Sequence, residues 1–201
     1  MLAFKEQRPN MPVRIISVKM KINKYEYPWE HYEITEILSV NNFNTVKEYS
    51  DSYSLPENGR HTNFVENNNS IYTIFKNIII DFCEHINCDI TNKYFLLEHS
   101  ICSPNYKYNR IHTDNPNKLL TFVYYLSDDN FGTKLYKEKT IESKFKYSNW
   151  SKNGGMAFIR NENTFHDFEA NETVRRTFNL ILLNNKNLDS FIDYKYFCSL
   201  I

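Results

Sequence analysis

The pattern of apolar and polar positions changes character near Lys93. Before it, the clearest signal is helical. Between Ser70 and Cys88 the apolar residues Ile71, Phe75, Ile78, Ile79, Phe82 and Ile86 recur at steps of three and four, which places them on one face, and Ser70 can serve as N-cap. A single apolar face predicts a helix lying on a sheet. Further upstream, Pro12 to Ile22 (PVRIISVKMKI) is β-branched enough to predict a strand, although Val13, Ile15, Val18 and Met20 alternate poorly. The stretch WEHYEITEILSV is ambiguous between helix and strand, and a polar, asparagine-rich connection follows it to Asn69.

From Lys93 onward the apolar runs are short, β-branched and aromatic, and turn residues separate them: YFLLEHSIC, LLTFVYYLS, TKLY, GGMAFIR and VRRTFNLILL. Strands at such intervals predict a sandwich or small barrel. Gly132 and the pair Gly154-Gly155 are three of only four glycines, and each precedes a strand-like run, so they predict obligatory turns. The chain has no repeat, low-complexity tail or proline- and glycine-rich linker. One domain over 1–201 is therefore expected, with a helical and strand N-terminal layer over 1–92, a β core over 93–185 and a C-terminal extension over 186–201.

Charge narrows the partners. The 24 basic and 24 acidic side chains cancel, so no overall field draws the chain to nucleic acid or to an acidic membrane. It has no apolar run of membrane-spanning length, and MLAFKEQRPN lacks the apolar core of a signal peptide, so a cytoplasmic protein is expected. Cys83, Cys88, Cys102 and Cys198 form no paired framework and fit reduced thiols. The sequons at Asn68, Asn149 and Asn171 carry little weight in so asparagine-rich a chain.

The stretch RIHTDNPNKLLTFVYYLSDD, Arg110 to Asp129, carries the chemistry. His112 and Asp114 are two residues apart, so on an extended segment they point to the same side and can converge on one metal ion. A third ligand must come from a distant strand, and His166 in NTFHDFEA is the candidate. Two histidines and a carboxylate on one face leave coordination positions open, the pattern of non-haem Fe(II) oxygenases. A chelating organic acid would also need a cation for its far carboxylate, and a guanidinium suits that geometry. Arg175 and Arg176 follow His166 by nine and ten positions.

This arrangement of H-x-D, a second His some fifty residues on and an Arg about ten residues later resembles the iron- and 2-oxoglutarate-dependent dioxygenases. HTDNPN followed by TFVYYLS resembles the prolyl 4-hydroxylase branch in particular, and the resemblance covers about residues 93–183. It implies a mainly β fold with α, a double-stranded β-helix or cupin-like jelly roll with N-terminal helices packed on the major sheet. It implies Fe(II) held by His112, Asp114 and His166, with 2-oxoglutarate and O2 as co-substrates and ascorbate as an optional addition. The activity implied is hydroxylation of an unactivated C–H bond in a protein, peptide or small molecule, with a peptidyl proline or another amino-acid side chain favoured. The presence of Asp114 implies hydroxylation rather than halogenation.

Tyr125 matches a position whose hydroxyl helps to hold the distal carboxylate of 2-oxoglutarate, and Thr121 shares its side of the strand and is placed to line the pocket. Adjacent strand residues face opposite ways, so only one of Arg175 and Arg176 can look into the barrel. Arg176 shares its face with Phe178, Leu180 and Leu182, the more apolar set, and is the anchor assigned.

Other features read more plainly. Cys83, His85 and Cys88 on one helix do not direct three ligands to one point, and His31, His61 and His99 lack partners at a telling spacing. The lysine- and aromatic-rich run Lys134 to Lys152 reads as a solvated hairpin. Two alternatives stay open: an oxidative demethylase or hydroxylase of a nucleobase, which would need a basic groove, and a non-catalytic jelly-roll binding module.

Overall fold

The computed structural model describes residues 20–185 and 194–201. Most of the strand expected over Pro12–Ile22 lies outside the described residues, and so do residues 186–193 of the C-terminal extension.

The chain runs β1 (Lys21–Tyr25), β2 (His31–Thr35), α1 (Val40–Asp51), β3 (Arg60–Phe64), α2 (Ser70–His85), β4 (Tyr94–Cys102), β5 (Lys107–His112) and β6 (Lys118–Tyr125). It continues through β7 (Thr133–Tyr136), β8 (Phe145–Tyr147), β9 (Gly154–Ile159), β10 (Phe165–Glu169), β11 (Arg175–Leu183), α3 (Tyr194–Phe197) and β12 (Cys198–Leu200). The larger sheet has the order β1-β2-β9-β6-β11-β4-β12, with β3 also paired to β4, and the smaller has the order β5-β10-β7-β8. All pairings are antiparallel. The ambiguous WEHYEITEILSV resolves into β2 and the lead-in to α1, where Ser39 Oγ accepts from Asn42 N.

Helix α2 starts where its apolar period begins, but Asn69 rather than Ser70 is the cap, because its Oδ1 reaches the Ile71 N–H at 2.8 Å. The face bearing Phe75, Ile79 and Phe82 is fully buried. Phe75 meets Tyr124 and Phe178, and Phe82 meets Phe122, at centroid distances of 4.9 to 5.2 Å. These contacts define the main core, which lies between the helices and the larger sheet.

The core settles what each face of β11 does. Phe178, Leu180 and Leu182 point into it, and Arg175, Thr177, Asn179 and Ile181 point the other way, into a cavity between the two sheets. The apolar face of this strand is its helix-covered face, and the barrel interior is the more polar one.

Gly132 lies in the connection immediately before β7, and a Cβ there would sit 1.9 Å from the Ser148 carbonyl oxygen, so close approach of backbone requires glycine. Gly154 and Gly155 are not turn residues but the first residues of β9. A Cβ on Gly155 would lie 2.4 Å from the Val123 carbonyl oxygen, so close approach of backbone, not a turn, requires glycine there.

Candidate metal and carboxylate site

His112 ends β5 and His166 lies in β10, directly opposite in the ladder, which brings the ring centroids to 4.4 Å. Asp114 follows in the turn before β6. One ligand atom from each of His112, Asp114 and His166 falls within 4.8 Å of the others. The three residues singled out by spacing are therefore brought to one point.

Each imidazole is oriented by the same device. His112 Nδ1 meets the Arg110 carbonyl oxygen and His166 Nδ1 meets the Thr164 carbonyl oxygen, both at 2.9 Å and both two residues upstream. A carbonyl only accepts, so each Nδ1 carries the proton and each Nε2 keeps a lone pair for a metal. Burial pushes His166 down to about 4, against the opposing pull of Asp114, which favours the neutral, ligating form at neutral pH.

Asp114 is 6% exposed. Its Oδ2 accepts from Thr121 Oγ1 at 2.6 Å and its Oδ1 pairs with Lys118 Nζ at 2.7 Å. Burial alone would raise this carboxyl, but Lys118, His166 and the Thr121 hydrogen bond outweigh it and hold it well below the usual carboxylate range. The third ligand is thus anionic and fixed in orientation.

The triad opens into a cavity of about 230 Å³ between the sheets, and Thr121 lines it. Arg175 lines the same cavity, 3% exposed. Arg176 does not: its Nη1 donates to the Ser50 carbonyl oxygen at 2.6 Å and its Nε lies 3.9 Å from Asp51 Oδ1, against α1 on the far side of the sheet. The assignment of Arg176 to the pocket is corrected to Arg175, because apolar company marks the helix-facing side of β11. The legible signal was the polar alternation Arg175, Thr177, Asn179, which only a cavity tolerates inside a buried strand.

Tyr125 is fully buried, but its hydroxyl is taken up by Ser148 Oγ at 2.7 Å and Thr133 Oγ1 at 3.4 Å, and Thr133, not Tyr125, lines the cavity. Burial pushes its phenol up, so it stays protonated. Tyr125 also stacks on Trp150 at 4.2 Å.

Arg175 is a buried cation with no carboxylate partner among the described residues, and its Nε has no hydrogen-bond acceptor. Two aromatic rings surround it instead, Phe168 at 4.8 Å and Trp150 at 5.4 Å from the guanidinium carbon. Thr177 Oγ1 is likewise unpartnered. Burying a charge is costly unless it is paired, so unspent donors facing a cavity fit a carboxylate supplied from outside. The donor set of two imidazole nitrogens and one carboxylate fits Fe(II).

No family model matches the chain, and no curated protein matches it in sequence. Solved structures do. A viral collagen prolyl hydroxylase from Paramecium Bursaria Chlorella virus-1, in its 2OG complex, superposes with a TM-score of 0.57 at 13% identity over 78% of this chain and 96% of that one. A Pseudomonas putida prolyl-4-hydroxylase gives 0.57 at 8% identity over 77% and 92%. A Trichoplax adhaerens prolyl hydroxylase in complex with a hypoxia inducible factor peptide fragment gives 0.58 at 13% over 77% and 83%. The chain therefore has the fold of the prolyl hydroxylases.

Proposed function

We propose that this protein is an Fe(II)- and 2-oxoglutarate-dependent dioxygenase that hydroxylates an unactivated C–H bond of an amino-acid side chain, on a double-stranded β-helix backed by helices. The observation that carries the reading is Arg175, a buried guanidinium without a counter-anion, in the same cavity as the convergent triad His112, Asp114 and His166. The prolyl hydroxylase fold supports it.

In this reading the Nε2 atoms of His112 and His166 and a carboxylate oxygen of Asp114 hold Fe(II). Arg175 receives the far carboxylate of 2-oxoglutarate, and the Thr177 hydroxyl is a further donor within the cavity. Bound iron with 2-oxoglutarate and O2 supplies the oxidising power, yielding hydroxylated product, succinate and CO2. The chain's own work is electrostatic: it keeps His166 neutral, Asp114 ionised and the guanidinium unspent until the keto acid arrives. Phe168 and Trp150 stabilise the cation without competing for the ligand's oxygens.

The test is anaerobic titration with Fe(II) and then 2-oxoglutarate, following the visible metal-to-ligand charge-transfer band. Wild type should develop the band and His166→Ala should not. Arg175→Gln should weaken 2-oxoglutarate binding about a hundredfold, as expected when one member of a buried charge pair is lost. Arg176→Gln should leave that affinity unchanged. No band in folded wild type would refute the oxygenase reading and favour a non-catalytic module.

A further inference from the structure

One wall of the cavity carries an ion pair that neither the triad nor Arg175 uses. Arg60, the first residue of β3, donates from Nη2 to Glu98 Oε1 at 2.6 Å and from Nε to Ser100 Oγ at 2.8 Å. Asn179 Nδ2 donates to the same Glu98 oxygen at 2.5 Å. Arg60, Glu98, Ser100 and Asn179 all line the cavity. Their contacts fix the pair in place but leave one valence open on each charge: Glu98 Oε2 and Arg60 Nη1 make no hydrogen bond among the described residues. The two side chains are only 23% and 15% exposed, so the pair itself is largely buried while its open atoms remain accessible to a ligand.

A fixed cation beside a fixed anion is the electrostatic complement of a ligand that carries both charges one carbon apart. Laid antiparallel, the ligand's carboxylate meets Arg60 and its ammonium meets Glu98. An internal peptide residue has neither charge, because amide bonds have consumed both, and it would leave the two valences unanswered.

The surrounding wall fits the same ligand. Glu98 lies opposite Asn179, Asn179 opposite Val123, and Ile181 opposite Thr121, the partner of Asp114. From Glu98 on β4 across β11 to Val123 on β6 is two strand spacings, about 10 Å, and Thr121 lies two residues further along β6, so the direct span is about 12 Å. The Glu98 and Asp114 side chains both line the cavity and reach into this span from its two ends, along a wall in which Val123 and Ile181 are apolar. The cavity's 230 Å³ also falls below the ~300–1,000 Å³ of pockets for larger ligands, which favours a small substrate.

We propose that the substrate is a free aliphatic α-amino acid, held at its carboxylate by Arg60 and at its ammonium by Glu98, with its side chain directed at the His112–Asp114–His166 centre. This inference rests on the oxygenase reading above.

The test is calorimetry on anaerobic protein loaded with Fe(II) and 2-oxoglutarate. Free L-proline and L-leucine are compared with their N-acetyl and amide forms and with a proline-containing heptapeptide. At least one free amino acid should bind, about tenfold or more tighter than either capped form. Glu98→Gln should abolish discrimination against the N-acetyl form, and Arg60→Gln discrimination against the amide, while 2-oxoglutarate binding persists in both. Equal or tighter binding of the capped forms or the heptapeptide by wild type would overturn the proposal in favour of a peptide substrate and needs no variant to fold. Binding of 2-oxoglutarate with no response to any free amino acid would overturn it as well. Failure of 2-oxoglutarate itself to bind would instead refute the underlying oxygenase reading.

Discussion

The Thr121 hydroxyl does two jobs at one atom pair: it satisfies a buried carboxylate oxygen and fixes the direction in which Asp114 presents itself. Thr121→Val keeps the shape and removes the donor. Metal affinity should fall about 10- to 100-fold, measured by competition with a chelator, with the fold intact by circular dichroism. An unchanged affinity would mean that Lys118 alone sets the carboxylate. The contrast between Arg175 and Arg176 also belongs to this scale. They are neighbours in sequence with the same side chain, yet one faces a cavity with no carboxylate paired to it among the described residues and the other clasps the end of α1. Their spacing from His166 is equally suitable, and what covers each face of the strand separates them. The helix-covered face is the apolar one, Phe178, Leu180 and Leu182, and the polar alternation Arg175, Thr177, Asn179 marks the barrel interior.

Secondary-structure elements were legible where the apolar period was long. The run YFLLEHSIC is β4 residue for residue, and α2 begins at Ser70, where its periodic apolar residues start. Strands β5 and β10, which carry His112 and His166, are short and largely polar on one face, so hydrophobic pattern alone could not reveal them. The same holds for β3, whose RHTNF supplies Arg60 to the cavity from a segment without any motif. Glycine is required at both Gly132 and Gly155 by close approach of neighbouring backbone, which leaves no mark in the local sequence and differs from the turn expected there. The contact at Gly132 is with backbone, which cannot swing aside. Gly132→Ala should therefore destabilise the protein by about 3 kcal/mol and lower Tm by about 10 °C in a thermal melt. A Tm within a degree or two of wild type would show that the connection can shift to make room.

At the scale of the whole molecule, acid should weaken the fold before its carboxylates titrate. His99 is fully buried, hydrogen-bonded to Ser50 Oγ at 2.8 Å and stacked on Phe178. Burial, helped by Arg176, pushes it down to about 4. The native state then binds no proton at His99 between pH 6.5 and 4 while the unfolded chain does, so stability is lost as pH falls through that window. Between pH 7 and pH 5 the loss is about 2 kcal/mol for this residue, with buried His31 acting in the same direction. Urea denaturation at the two pH values should show it, and His99→Phe should shrink the difference; an equal fall in the variant would assign it to other groups. One further consequence follows from how the larger sheet ends. Strand β4 is flanked on one side by two separate pieces, β12 along Tyr94–Leu96 and β3 along Glu98–Cys102. A long, apolar, nine-residue template for intermolecular pairing is thereby exchanged for a pair of short outer segments of three and five residues, so among the described residues this side of the sheet offers no extended border on which a second chain could begin to aggregate.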